Sequence, residues 1–278
     1  MPRFSNKVAI ITGSSNGIGR ATAVLLATDG AKVTITGRNA ERLEETRQQV
    51  ILAGVNAENV NFVVADITTS EGQIQLINST IQKFGQLDIL VNNAGAGFND
   101  QNGAVGLRKS IESYQKTFDL NVKSIVELTQ KARPYLEKAG GEIVNVSSMA
   151  SGPQAYADFC YYSMAKAALD QFTRNSAIEL IDSGIRVNCV NPGAVSTGFM
   201  GAMGAPSEVS QKLYDFMEAD KHCIPTRKVG KPEDIAHLIA FLADRRVSSY
   251  IIGQTILADG GSTLISAINS HNFMDMLK

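Results

Sequence analysis

The chain has 278 residues, 44% of them hydrophobic and 19% charged, which is enough apolar material for the core of one α/β domain. Its formal net charge of −1 excludes a broadly basic nucleic-acid-binding protein or a polybasic membrane patch, and favours small-molecule chemistry. The three cysteines are widely spaced and there are only three histidines, so we expect neither a disulfide framework nor a metal site. Because no apolar run approaches the roughly 18 residues of a membrane helix, we expect one soluble, cytoplasmic domain over residues 1–278.

A glycine-rich loop follows the first predicted strand, Val8 to Ile11. It reads Thr12-Gly13-Ser14-Ser15-Asn16-Gly17-Ile18-Gly19, and the residues after it have helical apolar spacing. The order strand, glycine loop, helix directs backbone N–H groups and the positive end of a helix at a phosphate. The spacing Gly-x-x-x-Gly-x-Gly is a variant of the dinucleotide-binding fingerprint, so the sequence predicts a nucleotide site here.

The second predicted strand, Lys32 to Thr36, leads into Gly37-Arg38-Asn39. An NAD-binding chain usually has Asp or Glu at this point, where the carboxylate accepts from both ribose hydroxyls. Arg38 instead presents a forked cation that suits a 2'-phosphate, and we therefore predict NADP(H), with NAD possible. The alternative is that Arg38 is a solvated residue at the start of a helix.

The rest of the chain continues the alternation of strands and helices. Further strands are predicted at Val60 to Ala65, Leu87 to Val91, Glu142 to Val146, Ile185 to Val190 and Ile251 to Leu257, with a long helix over Ile111 to Val126 among the helices between them. This pattern indicates an α/β fold, a Rossmann-type doubly wound parallel sheet of about seven strands with helices on both faces. Its ligand is expected at the carboxyl ends of the strands.

Tyr162 and Lys166 are four residues apart in a stretch with helical apolar spacing. One helical turn places their side chains next to each other, and an ammonium about 4 Å from a phenol favours the phenolate by roughly 3 pKa units before desolvation opposes it. We therefore predict that Tyr162 has a lowered pKa and exchanges a proton with an alcohol oxygen. Taken alone, the pair could equally be a surface contact, Ser148 a turn serine and Asn121 a satisfied buried amide.

Together the motifs resemble the short-chain dehydrogenase/reductase family. The shared order is the glycine loop, Asn92-Asn93-Ala94-Gly95, an isolated Asn, a Ser at a strand end, Tyr-x-x-x-Lys, Asn191-Pro192-Gly193 and Ala258-Asp259-Gly260-Gly261, over about residues 5–265. The resemblance implies a catalytic group of Asn121, Ser148, Tyr162 and Lys166. It also implies cofactor contacts from Gly13, Ser15, Asn16, Gly17, Ile18, Arg38, Asp66, Ile67, Asn93, Tyr162, Lys166, Val195 and Thr197.

Two departures from the family pattern concern the catalytic region. Ser148 lies 14 residues before Tyr162, which is one residue more than the family's commonest spacing between these two positions. The commonest spacing would make Tyr161 the catalytic tyrosine. Four residues after Tyr161 comes Ala165, however, whereas Tyr162 reaches Lys166, so we assign Tyr162. The loop between Asn93 and Asn121 is a few residues longer than usual, and we therefore expect Gly97 to Leu107 to reshape the mouth of the pocket.

The glycines and methionines of residues 198–225 predict a mobile substrate lid, or else a plain surface helical hairpin, and residues 266–278 form a tail without a readable role. By resemblance, the last strand pairs subunits in a homotetramer or homodimer.

The expected function is NADP-dependent interconversion of a secondary alcohol and a ketone or aldehyde, as in carbonyl reductases. A sugar or polyol dehydrogenase of glucose type, and a non-catalytic NADP-binding sensor or scaffold, are the alternatives. The lid composition does not identify the substrate.

Overall fold

The protein is built on one parallel sheet with helices on both faces. The computed structural model describes residues 2–202 and 206–266. The strands are β1 (Val8–Thr12), β2 (Lys32–Gly37), β3 (Val60–Val64), β4 (Ile89–Asn92), β5 (Glu142–Val146), β6 (Arg186–Pro192) and β7 (Thr255–Ala258). Their order is β3-β2-β1-β4-β5-β6-β7, and every pairing is parallel. The predicted Rossmann-type fold with about seven strands is confirmed.

Helices fill the connections between these strands. They are α1 (Gly17–Thr28), α2 (Ala40–Leu52), α3 (Ser70–Phe84), α4 (Ile111–Phe118), α5 (Ser124–Ala139), α6 (Cys160–Leu180), α7 (Phe199–Ala202), α8 (Ser207–Ala219), α9 (Pro232–Ala243) and α10 (Arg245–Ser248). Local signals set several of their ends. The Asn39 side chain accepts from the backbone N–H of Arg42 at the start of α2, and Gly85 ends α3 in a left-handed conformation.

The core consists of two apolar layers, one on each side of the sheet. On one side Leu26 and Leu43, from α1 and α2, pack with Ile239 of α9. On the other side residues of α3, α5 and α6, such as Leu76 and Leu128, form the second layer. Since both faces are covered, β1, β5 and β6 are buried along their whole length, as expected for parallel strands. No helix in residues 2–202 and 206–266 is long and apolar enough to cross a bilayer.

Several predicted boundaries were wrong. The strand expected at Leu87 begins at Ile89, and the one expected at Ile251 begins at Thr255, because Gly253 takes a left-handed conformation (φ +66°) that a strand does not continue through. The helix expected over Ile111 to Val126 is interrupted: α4 ends at Phe118, and a π-helical turn, Asp119–Lys123, precedes α5. Such wide turns are frequent at functional sites.

Candidate active site

The carboxyl ends of the central strands open into a cleft of about 530 Å³. Nearly all of the predicted site residues line it: Gly13, Ser15, Asn16, Gly17, Ile18, Arg38, Asp66, Ile67, Asn93, Ser148, Tyr162, Lys166, Val195 and Thr197. Asn121 is fully buried and lies behind the wall of the cleft, beside Gly95. The topology therefore brings the first and second halves of the chain to one edge of the sheet.

The glycine loop has the conformation that a phosphate cradle needs. Gly13 has a φ of +65°, and a Cβ there would stand 2.8 Å from the Cα of Ala94. A Cβ on Gly19 would collide with the carbonyl oxygen of Gly13, so the loop and the start of α1 pack more closely than any side chain allows. Within the described chain, no side chain caps the N-terminus of α1. Its N–H groups and its positive end thus fit a pyrophosphate.

The far end of the cleft, next to the carboxyl end of β2, is positively charged. Arg38 and Arg42 both line it and both side chains are exposed. Neither guanidinium has an ion-pair or hydrogen-bond partner in the part of the chain that the structure describes. Sequence reasoning missed Arg42, although its position four residues after Arg38, in the first turn of α2, was an available signal. Asp66 lines the same region, and its Oδ1 accepts from Thr68.

Tyr162, Ser148 and Lys166 lie together where β5 and α6 meet the cleft. Ser148 is near enough to the Tyr162 phenol to lower its pKa, and its Oγ accepts from the backbone N–H of Ala150 at 3.1 Å. Lys166 is buried, its Nζ donates to the carbonyl oxygen of Val146 at 2.9 Å, and it lies 5.6 Å from the centroid of the Tyr162 ring. Tyr161 does not line the cleft. Its hydroxyl donates to the carbonyl oxygen of Lys109 at 3.0 Å, so it has a structural role.

The pKa of Tyr162 differs from our prediction. Burial raises the pKa of this phenol to about 12, and the hydrogen bond from Ser148 opposes the rise without cancelling it. Burial also lowers the pKa of Lys166 to about 8, against the raising effects of Cys189 and Asp170. We predicted that the ammonium would lower the phenol pKa. That prediction was wrong for the protein alone, because burial is the largest cause of the shift of each group.

Asn121 occupies the π-helical turn and has one unused polar atom. Its Nδ2 donates to the carbonyl oxygens of Ala96 and Thr117, both at 2.8 Å. Its Oδ1 is buried without a hydrogen-bond partner among the described residues. A Cβ built on Gly95 would stand 2.8 Å from this Oδ1 and 2.9 Å from the Nζ of Lys166. The side chains of Asn121 and Lys166 therefore converge on one point beside Gly95.

A second buried amide supports Ser148. The Nδ2 of Asn191, in the Asn-Pro-Gly motif, lies 2.9 Å from Oδ2 of Asp170, 2.8 Å from Oγ of Ser151 and 3.3 Å from the carbonyl oxygen of Ser148. Asp170 is itself buried, one helical turn after Lys166. This network joins β6 and α6 to the turn that begins at Ser148, and so fixes the position of the serine.

We call the remaining part of the cleft the substrate end. It lies beyond Ser148 and Tyr162 and is lined by Met149, Ala150, Tyr156, Phe159, Phe199, Leu213, Tyr214 and Met217. The last four come from residues 198–225, the predicted lid, where α7 and α8 form and residues 203–205 lie outside the described chain. Residues 97–107 do not line the cleft themselves, but Gly106 lies against Ala157, two residues before Phe159, which does line it. The effect of this segment on the mouth of the cleft stays a prediction. The predicted tail, apart from Ser266, lies outside the described residues.

Comparisons with known proteins agree with this geometry. A family model described as enoyl-(acyl carrier protein) reductase matches residues 13–263. A short-chain dehydrogenase/reductase from Caenorhabditis elegans, solved with cofactor, is 57% identical over 98% of this chain and 100% of that chain, with a TM-score of 0.96. Glucose dehydrogenase of the same organism is 58% identical over 95% of this chain and 100% of that chain, with a TM-score of 0.82. The 7alpha-hydroxysteroid dehydrogenase of Escherichia coli is 33% identical and covers 93% of this chain and 95% of its own length.

The family model covers most of the chain, and relatives above 30% identity extend over nearly all of it. The family binds a nicotinamide cofactor, which fits the uncapped helix and the glycine loop described above. The chain belongs to the short-chain dehydrogenase/reductase family and is an oxidoreductase that acts on CH–OH groups.

Proposed function

We propose that this enzyme interconverts a secondary alcohol and a ketone or aldehyde with NADP(H), using Tyr162 as the acid and base. The observation that carries the proposal is that Ser148, Tyr162 and Lys166 line the same cleft as the glycine loop and the two free arginines. The hydroxyls of Ser148 and Tyr162 and the ammonium of Lys166 are suited to transferring a proton to a substrate oxygen. They lie at the carboxyl edge of the sheet, next to a site for a dinucleotide.

A nicotinamide cofactor held by the glycine loop would supply or accept the hydride when bound. Tyr162 holds its proton at neutral pH, since burial raises its pKa to about 12, and it can therefore donate that proton to the carbonyl oxygen during reduction. Ser148, which lines the cleft beside the phenol, would orient the same oxygen. Lys166 places a positive charge behind the phenol and stabilises the phenolate that remains after donation.

Asn121 would complete a path that returns the proton. Oδ1 of Asn121 and Nζ of Lys166 lie on the same side of Gly95, and a water held between these two atoms would bond to both of them. The amide would accept from this water, and the water would accept from the ammonium. We infer that Asn121 positions this contact and does not touch the substrate.

The choice of NADP over NAD is supported by Arg38 and Arg42. Two exposed guanidiniums line one end of the cleft with no partner in the described chain, and a 2'-phosphate would give them one. A charge-assisted hydrogen bond contributes about 1.5 to 3 kcal/mol, so even one such contact gives roughly a ten- to hundredfold preference. Thermal shift with NADP against NAD measures this preference directly.

The test of the catalytic role uses two neighbouring tyrosines. Tyr162→Phe should lose most turnover of a ketone panel while keeping its affinity for NADPH, whereas Tyr161→Phe is the matched control and should retain turnover. Retained activity in Tyr162→Phe would show that another group donates the proton. The sensor or scaffold alternative predicts NADPH binding with no ketone turnover in the unmodified protein.

A second candidate function is oxidation of a sugar or polyol. It is favoured by the 58% identity to the glucose dehydrogenase of Caenorhabditis elegans. Measuring NADP reduction with glucose and with simple cyclic alcohols separates the two candidates.

The proposed assembly is a homotetramer or homodimer of a soluble, cytoplasmic enzyme. The edge strand β7 is only half-buried, and Leu257 within it is 50% exposed, so this edge is available to another copy of the chain. Light scattering coupled to size-exclusion chromatography would give the number of subunits. A monomer at micromolar concentration would contradict the proposal.

A further inference from the structure

We infer that the substrate of this site is a neutral and largely apolar carbonyl compound or alcohol, with a ring or branched hydrocarbon body, and not a sugar or an acid. The inference deepens the proposed function and rests on it, because it concerns the same cleft. It is carried by the side chains of the substrate end, by the placement of charge in the cleft, and by the surface of α8.

The substrate end is lined with aromatic and soft apolar side chains. Phe199 lies 5.5 Å from the ring of Tyr162, centroid to centroid, so the carbon skeleton next to the reacting carbonyl would lie against Phe199. Phe159, Met149 and Met217 line the same end. Aromatic rings and methionines give favourable contact to flat or branched hydrocarbon and offer few hydrogen bonds.

Charged groups are kept away from the substrate end. In the described chain, the charged residues that line the cleft are Arg38, Arg42 and Asp66 at the dinucleotide end and Lys166, whose ammonium is already bonded to Val146. The segments around residues 156–159 and 207–219 do contain charges, but these are exposed and do not line the cleft: Asp158, Glu208, Lys212, Asp215 and Glu218. A substrate carboxylate would lose its hydration there without gaining a cationic partner.

Hydroxyl partners for a polyol are also few. Apart from Ser148 and Tyr162, which are needed for the reacting oxygen, the described hydroxyls at this end are those of Tyr156 and Tyr214. The Tyr214 hydroxyl already donates to the carbonyl oxygen of Val195 at 3.3 Å. A sugar would bring four or more hydroxyl groups to the substrate end, where side chains can form hydrogen bonds with about one of them. Each remaining hydroxyl group would lose its hydration without a new partner, which opposes binding.

The helix α8 completes the argument. None of its residues is buried, and its apolar residues leave much of their surface in solvent: Val209 is 52% exposed, Leu213 38% and Phe216 61%. Leu213 and Met217, one turn apart, line the cleft from this helix. An apolar substrate body would cover these two side chains and remove apolar surface from water, whereas a sugar would not.

The experiment compares two ketones of the same shape and opposite polarity. The neutral probe is 4-methylacetophenone, and the anionic probe is 4-acetylbenzoate, which has a carboxylate where the first has a methyl group. Glucose is the polyol probe and is tested in the oxidising direction. With NADPH and the full-length enzyme, kcat/KM for 4-methylacetophenone should exceed that for 4-acetylbenzoate by roughly a hundredfold. Calorimetric titration of each ketone into the enzyme saturated with NADP measures binding without turnover. The affinity for 4-methylacetophenone should again exceed that for 4-acetylbenzoate.

A pair of lysine substitutions on α8 tests the position of the apolar surface. Leu213→Lys places a cation at the substrate end and should raise kcat/KM for 4-acetylbenzoate at least tenfold while lowering it for 4-methylacetophenone. Val209→Lys adds the same charge to the same helix at an exposed position that does not line the cleft, and should leave both values unchanged. Both positions are solvent-accessible, so neither change should prevent folding.

The outcomes separate this inference from the proposed function. Equal binding of the two ketones, or efficient glucose oxidation with no turnover of 4-methylacetophenone, would overturn the apolar substrate class while the dehydrogenase function stands. Selective binding of 4-methylacetophenone with no hydride transfer would overturn the proposed function and leave the binding class standing. An equal response of both ketones to Leu213→Lys would place the substrate elsewhere and overturn the inference.

Discussion

Replacing Gly95 by alanine tests the inferred contact between Asn121 and Lys166. Gly95 does not have a positive φ, so its backbone accepts alanine without strain. The added Cβ would stand 2.8 Å from Oδ1 of Asn121 and 2.9 Å from Nζ of Lys166, and no real Cβ approaches other atoms so closely. The methyl group would therefore displace the amide oxygen and the ammonium from their present positions and disturb any water held between them.

The expected loss follows from the hydrogen bonds involved. Oδ1 of Asn121 is buried and has no other partner in the described chain, and the ammonium of Lys166 is also buried. Leaving a buried polar group without its partner costs about 1 to 3 kcal/mol. Since about 1.4 kcal/mol corresponds to a factor of ten, kcat should fall roughly five- to hundredfold. The thermal midpoint should fall only modestly, because overpacking by one methyl group costs about 1 to 3 kcal/mol.

The assay combines steady-state reduction of a ketone with fluorescence titration of NADPH. Gly95→Ala should lower kcat and leave the affinity for NADPH within about twofold, because the Cβ points toward Asn121 and Lys166. Gly201→Ala is the matched control, since a Cβ there meets none of the described residues within 4 Å. A Gly95→Ala enzyme with unchanged kcat would refute the reasoning, and an equal loss of NADPH affinity would show that the methyl group reaches the cofactor instead.

Three further predictions test other parts of the molecule. The double change Arg38→Gln with Arg42→Gln should weaken NADPH binding by roughly a hundredfold and NADH binding by less than threefold, which fluorescence titration measures. An equal loss for both nucleotides would contradict a 2'-phosphate contact. Ketone reduction, followed as kcat/KM, should decline as pH rises through about 8, because the ammonium of Lys166 has its pKa lowered to about 8 by burial; a profile flat to pH 10 would contradict this. Asp244, whose pKa is lowered to about 2 chiefly by its hydrogen bond with Arg246, should stabilise the fold above about pH 4 and lose that effect as pH falls toward about 2. Asp244→Asn should accordingly lower the melting temperature at pH 7 and not at pH 2.

The architecture of the sheet was predictable because its signals are local. Short β-branched runs bounded by glycine or by small polar residues mark β1 and β2, and the loop at Gly13 places its glycines where positive φ or close packing is needed. Parallel strands end at one edge, so the placement of Ser148 near the glycine loop followed from the same pattern.

The parts that could not be predicted depend on packing across the chain. Apolar spacing continues unchanged through Asn121, so no local signal marks the π-helical turn. The direction of the Tyr162 pKa shift depends on how completely the phenol is surrounded, and helical spacing to Lys166 says nothing about that. Arg42 was missed for a different reason. A charged residue in the first turn of a helix is usually exposed to solvent, and only the fold shows that Arg42 lines the cleft near the end of β2.

Three asparagines at the carboxyl edge hold the site together without adding charge to it. Asn93 donates to the carbonyl oxygen of Thr12 at 2.8 Å, Asn121 donates to Ala96, and Asn191 links Asp170 to the turn at Ser148. An amide both donates and accepts, so it can tie a loop to a strand while remaining neutral. The case is clearest for Asn121, whose Oδ1 lies on the same side of Gly95 as Nζ of Lys166. A carboxylate there would pair with the buried ammonium and compete with the phenolate for its charge. Since Asn121 is neutral, the carboxylate that acts on Lys166 is that of Asp170, one helical turn away, and the ammonium adds positive charge near Tyr162 when its oxygen gives up a proton.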